Sequence, residues 1–96
     1  MAKLSKHDKS VVRRAAGLRA NRWKVRADVS GFPKPSALRV GNKKVIPDII
    51  AEKGKRTRII EVETEQTWNR DREQRRLLRK YAQRKSRTEF MARRAK

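Results

Sequence analysis

Val45-Ile-Pro-Asp-Ile-Ile-Ala51, followed across a glycine-containing segment by Thr57-Arg-Ile-Ile-Glu-Val-Glu63, is the stretch that decides the fold. The first run is a short apolar strand. Pro47 has no N–H to give to a ladder, so it suits a strand start or an edge. Glu52-Lys-Gly-Lys-Arg56 carries the turn, and the two runs together predict an antiparallel hairpin. Glu61 and Glu63 stand two apart on the second strand, so both leave the same face, while Ile60 and Val62 point to the other, into a core under a helix. The hairpin brings the start of one strand beside the end of the other. Asp48 is then expected to converge with Glu61 and Glu63. Close carboxylates raise one another's pKa. A divalent cation removes that cost and polarises a phosphodiester for attack by water.

Upstream, Ser5-Lys-His-Asp8 fits an N-cap with an acid three residues on. Val11, Val12, Ala15, Ala16 and Leu18 follow at helical spacing and predict a helix over about 6–20, ending near Asn21. His7 reads as a solvated residue at the helix start, and Asp8 as a capping acid. Trp23, Val25, Ala27 and Val29 alternate with polar residues, the pattern of a half-buried strand. Ser30 to Ser36 is a loop by its glycine and prolines, and Leu38 to Val40 is a short extended piece before the Gly41-Asn42 turn.

Downstream, Asn69 is the expected cap of a second helix, with Asp71 and Glu73 in its first turn. Gln74, Leu77, Leu78, Tyr81 and Ala82 form its narrow inward face. Thr88 to Ala92 reads as a last strand or as a continuation of the helix. The expectation is an α-β-β-β-α order in the α/β (α+β) class: one small domain over residues 1–96, a small, mostly antiparallel sheet and two flanking basic helices. Residues 86–96 are expected to be a flexible tail or to be completed by a partner chain.

The chain has 29 Lys and Arg against 10 Asp and Glu, a net charge of +19 in 96 residues. Such a charge opposes compaction of an isolated monomer and favours a polyanionic partner. The excess lies in the flanks. Residues 1–26 hold nine basic residues and one acid, and residues 70–96 hold twelve and three. Residues 27–69 hold eight and six, so most of the acids sit in the middle. Carboxylates beside phosphates repel them, and a metal site gives the central acids a reason to be there. Arg13 and Arg14 on the first helix, and Arg70, Arg72, Arg75, Arg76, Arg79 and Lys80 on the second, are the expected nucleic-acid contacts. Trp23 reads as core.

The absence of Cys rules out disulfides, thiol nucleophiles and thiolate zinc sites, and a single His removes His-cluster metal sites. Metal binding would then rest on carboxylates, which suits Mg²⁺ or Mn²⁺. No apolar run is long enough to span a membrane. The segment Met1 to Ser10 lacks the apolar core of a secretory signal. The expected location is intracellular, cytoplasmic or nucleoid-associated.

Ile46-Pro-Asp-Ile-Ile50 followed by Ile59-Ile-Glu-Val-Glu-Thr64 resembles the motif of the PD-(D/E)xK, restriction endonuclease-like nucleases, closest to their archaeal Holliday junction resolvase-like branch. The likeness covers roughly residues 6–85 and includes the order of elements: a leading helix, a strand, the Pro-Asp strand, the Glu-x-Lys strand and a helix. Carried over, it implies Asp48 and Glu61 as metal-binding and catalytic acids and the carbonyl of Val62 as a backbone metal ligand. Glu63 falls where the family usually has Lys, so Glu63 acts as a base or the role of that Lys passes elsewhere. Resolvase-like members place an acid in the first helix, where this chain offers Asp8. Members usually carry further strands after the second helix.

The resemblance and the charge pattern together imply a Mg²⁺- or Mn²⁺-dependent DNA endonuclease acting through Asp48, Glu61 and Glu63, with branched or junction DNA as a substrate and a homodimer as the working form. The competing expectation is a non-catalytic basic nucleic-acid-binding protein, structural or ribosome-like, with a decayed nuclease core.

Overall fold

A computed structural model describes residues 4–95. The class is α+β. Four strands form one mixed sheet in the order β1 (Lys24–Ala27), β4 (Ile49–Lys53), β5 (Arg56–Glu63), β6 (Thr88–Arg94). A separate two-stranded ribbon pairs β2 (Leu38–Val40) with β3 (Lys43–Val45). The helices are α1 (Lys6–Ala20), the single-turn α2 (Glu65–Trp68) and α3 (Arg72–Arg84). None of the described helices is long and apolar enough to cross a membrane.

α1 forms where its caps and spacing put it. The Ser5 hydroxyl accepts from the Asp8 N–H at 3.0 Å, and Asn21 closes the other end. Its Val11 and Ala15 are fully buried against Trp23, Val25, Ala27, Ile49, Ala51, Ile60 and Val62. Across the sheet, Leu77 and Leu78 of α3 bury Ile59, together with Val40 and Val45 of the ribbon. β5 is therefore covered on both faces, with Ile60 and Val62 under α1 as their parity required.

The hairpin forms in antiparallel register, with Ile49 opposite Ile60 and Lys53 opposite Arg56. Its loop has two residues, Gly54 and Lys55, and Gly54 takes φ 61°. A positive φ at the first loop residue matches the twist of the strands, and glycine reaches it without a Cβ clash.

Three local expectations need correction. The apolar run Val45–Ala51 is not one strand: Val45 ends β3, and β4 begins only at Ile49. Pro47 lies between them, fully buried, where its missing N–H interrupts pairing. Asn69 does not cap the long helix. It closes α2, which Thr64 caps through a box with Thr67, and α3 begins after Asp71. The sheet is mostly antiparallel, as expected, but Thr88–Arg94 is neither a flexible tail nor left for a partner chain: it is the last strand that the run Thr88 to Ala92 also allows. β6 runs parallel to β5 from Thr57↔Thr88 to Glu63↔Arg94, so the chain supplies its own further strand where a partner was expected. Of the 86–96 tail, Lys96 lies outside the described residues, as do Met1 to Lys3 of the leader segment.

Candidate active site

One end of the sheet gathers the start of β4, the end of β5 and the first turns of α1 and α3. Asp48 immediately precedes β4, held in place by Pro47 behind it and by the pairing of Ile49 after it. Its N–H donates to Glu61 Oε1 at 2.8 Å, and its Oδ2 accepts from the Val62 N–H at 2.8 Å. The two acids are thus interlocked through backbone groups, although 13 residues separate them.

Glu61 is 2 % exposed. Its second oxygen, Oε2, accepts from Gln74 Nε2 of α3 at 2.9 Å. Burial, and after it the nearby charge of Asp48, pushes its carboxyl up to about 8. The two hydrogen bonds it accepts oppose that rise without cancelling it.

His7 completes this group from the first turn of α1. Its Nε2 lies 3.2 Å from Asp48 Oδ2 and its Nδ1 lies 3.0 Å from Asp8 Oδ1. Ionised carboxylates only accept, and a neutral imidazole has one N–H, so both contacts together require the imidazolium. The hydrogen bond to Asp48 is the main reason that the ring's pKa is lifted to about 9, against a smaller opposing cost of burial.

Glu63 shares the face of Glu61 but has a different neighbourhood. It is completely buried. Its Oε2 accepts from Thr67 Oγ1 at 2.7 Å, and Arg75 stands 3.7 Å from the same oxygen. Burial pushes this carboxyl up too, and the contact with Thr67 holds it down. Glu63 Oε1 and a guanidinium nitrogen of Arg75 are both buried without a hydrogen-bond partner. The Arg75 guanidinium also lies 3.8 Å from the ring centre of Trp68.

Asp48, Glu61 and Glu63 all reach this end of the sheet; Glu61 accepts from the Asp48 N–H, and Asp48 accepts from the Val62 N–H. Val62 presents its N–H toward Asp48, and in a strand a residue's carbonyl points to the same side as its N–H. Of the expected nucleic-acid contacts, Arg13, Arg70, Arg72, Arg76, Arg79 and Lys80 are exposed, and Arg14 is half-buried. Arg75 is a correction. It is buried beside Glu63, where it offsets a carboxylate and has no surface to give a phosphate. His7 is the other: it is half-buried and bonded to Asp48, not solvated. Gln74 lies on the inward face, as its spacing predicts, and there it donates to Glu61, a contact that spacing does not specify. Position within the first turn of each helix was the only available signal for His7 and Gln74, and it has meaning only once both helix starts are known to meet at Asp48. Trp23 is core, as expected, with Arg58 lying 4.6 Å from its ring centre.

The donor set is hard oxygen, which suits Mg²⁺ or Mn²⁺ over thiophilic metals. Among the described residues no group of three or more His, Asp or Glu side chains is arranged to hold an ion. What remains is two carboxylates and a backbone carbonyl. That fits Mg²⁺, which keeps several waters and commonly takes only one or two carboxylates. No protein-family model matches the chain, and no curated protein matches it.

Proposed function

We propose that the protein is a metal-dependent DNA endonuclease of the PD-(D/E)xK type. The observation that carries this reading is the interlock of Asp48 and Glu61: the Asp48 N–H donates to Glu61 Oε1, and Asp48 Oδ2 accepts from the N–H of Val62, the residue after Glu61. A buried carboxyl raised to about 8 is costly for stability alone, and such costs concentrate at functional sites. With the β2–β3 ribbon and the single-turn α2 set aside as insertions, the order of elements adds support: a leading helix, three antiparallel strands, a helix and a further strand follow the order that the resemblance implies.

Asp48, Glu61 and the carbonyl of Val62 would hold the ion. Bound there, Mg²⁺ or Mn²⁺ supplies Lewis-acid polarisation of a phosphoryl oxygen and a more acidic water. The chain's own residues do the positioning. His7 fixes Asp48 from one side and Gln74 fixes Glu61 from the other. Where the family usually has Lys, Glu63 is buried against Arg75, so the positive charge at this point comes from α3.

The non-catalytic alternative keeps one specific support: Asp48 Oδ2 and both Glu61 oxygens already accept hydrogen bonds from the protein. A cleavage assay on plasmid and four-way-junction DNA with Mg²⁺ or Mn²⁺ separates the two readings. Cleavage by the wild type, lost in Asp48→Ala with DNA binding retained, supports the nuclease. Binding without cleavage in either metal rejects it.

A further inference from the structure

α1 packs on β1, β4 and β5, and on that side of the sheet β6 is left as the floor of an open groove. The groove has a volume of about 370 Å³. Arg14 and Asn21 line it from α1 and the residue after it, Arg58 and Ile60 from β5, and Met91 and Arg93 from β6, and no acid lines it.

Three features of this groove have no structural purpose in the free protein. The Arg14 Nε is buried and has no hydrogen-bond partner. Burial and the neighbouring charges of Arg93 and Arg13 press on the Arg14 guanidinium, lowering its pKa. Among the described residues neither Arg14 nor Arg93 makes an ion pair. Only Arg58 has an acid, Glu89, at 2.8 Å. A buried donor without an acceptor costs about 1–3 kcal/mol, and like charges gathered without a counter-charge add to that. An anion in the groove removes both costs.

The groove runs on the α1 face toward the end of the sheet that holds Asp48. Arg93 is the rung partner of Val62, whose N–H bonds Asp48. Arg58 lies on the same face of β5 as Val62, four residues back, or about 13 Å at ~3.3 Å per residue. That length exceeds the spacing of single phosphates along one strand of a duplex, roughly 3.4 Å of axis per phosphate. By contrast, the basic surface around the start of α3 is partly neutralised from within: Arg70 pairs with Asp71, and Arg76 with Glu73.

We propose that the groove between α1 and β6, with Arg14, Arg58 and Arg93, binds the phosphate backbone of DNA and leads it to Asp48. The partner's identity as DNA rests on the proposed function; the anionic chemistry rests on the groove.

The test reads binding, not cleavage, so an inactive protein still answers it. The full-length chain is titrated onto a labelled DNA duplex at several salt concentrations without divalent cation, with fluorescence anisotropy as the readout. Arg14→Gln/Arg93→Gln is compared with Lys80→Gln/Arg84→Gln on α3. Each lost phosphate contact should flatten the slope of log affinity against log salt by about 0.9. The groove variant is expected to lose nearly two units of slope and roughly tenfold or more in affinity at low salt, and the α3 variant clearly less. Exposed Arg93→Glu alone should show the same direction and carries the test if the double variant fails to fold. Unchanged slope and affinity in the groove variants, or an equal loss in the α3 variant, overturns the proposal. Absence of salt-dependent binding by the wild type also overturns it, whatever the cleavage assay gives.

Discussion

His7 Nε2 and Asp48 Oδ2 stand 3.2 Å apart across 41 residues of sequence. This contact fastens the first turn of α1 to the residue that opens β4. It also makes the position of Asp48 depend on the protonation of an imidazole. The ring holds two carboxylates at once, and it does so only while it carries both protons.

That dependence has a definite sign. The folded ring titrates near 9 and the unfolded one near 6.5. Its stabilising contribution is complete below pH 6.5 and is lost as pH rises through 9. His7→Ala should therefore narrow its stability gap to the wild type as pH rises across this window. Thermal unfolding of both proteins between pH 6 and 9.5 measures it, and parallel curves would show that the tether carries no charge.

Glu61 moves in the same direction for another reason. Burial raises its carboxyl from 4.5 to about 8, so the protonated side chain is the one that the fold favours. Stability from this group is complete below pH 4.5 and is lost as pH rises through 8. Glu61→Gln keeps the shape and removes the titration. It should be more stable than the wild type at pH 8.5, and it should gain less in melting temperature than the wild type when Mg²⁺ or Mn²⁺ is added. Equal gains in both would place the ion elsewhere.

Asp48→Ala removes the acceptor for the Val62 N–H and one anchor of His7. A buried donor left unsatisfied costs about 1–3 kcal/mol. The variant should remain folded by circular dichroism, lose that amount of stability in urea unfolding, and cleave no DNA. Cleavage at the wild-type rate by a folded Asp48→Ala protein would remove Asp48 from the chemistry.

Arg75→Ala should be more damaging than any exposed arginine substitution. It strips a completely buried Glu63 of its nearest opposite charge, and breaking a buried pair from one side costs about 3–5 kcal/mol. Glu63→Gln/Arg75→Met, which removes both charges together, should recover most of that loss. Denaturant unfolding of the three proteins completes the comparison. No recovery in the double variant would mean that Arg75 acts through its packing on Trp68.

Ending the chain at Arg87 removes β6 and leaves β5 with an unpaired edge from Thr57 to Glu63. An exposed strand edge templates association. The truncated protein should aggregate or fail to give a cooperative unfolding transition, while light scattering of the full chain stays flat under the same conditions. A soluble, cooperatively folding truncation would show that β6 is dispensable to the sheet.

Local information was enough for the parts of this fold whose signals are local. Ser5, the apolar spacing of Val11 to Leu18 and Asn21 marked α1, since caps and helical period act within a few residues. Gly54 and the parity of Ile60, Glu61, Val62 and Glu63 placed the hairpin and its two faces, since a strand's side chains alternate whatever surrounds them. Those same rules brought Asp48 near Glu61 on paper.

What surrounds those acids was decided only by tertiary structure. The parallel pairing of Thr88–Arg94 with β5 follows from where α3 delivers the chain, and an ambiguous run such as Thr88 to Ala92 does not record it. Arg75 looks like any other arginine of a basic helix until α3 docks with that side inward and places it at Glu63. His7 and Gln74 become partners of Asp48 and Glu61 because two helix starts meet at one end of the sheet. The charge of a side chain is written in the sequence. Whether it faces water, a phosphate or a buried carboxylate depends on distances between residues far apart in the chain, and packing alone sets those.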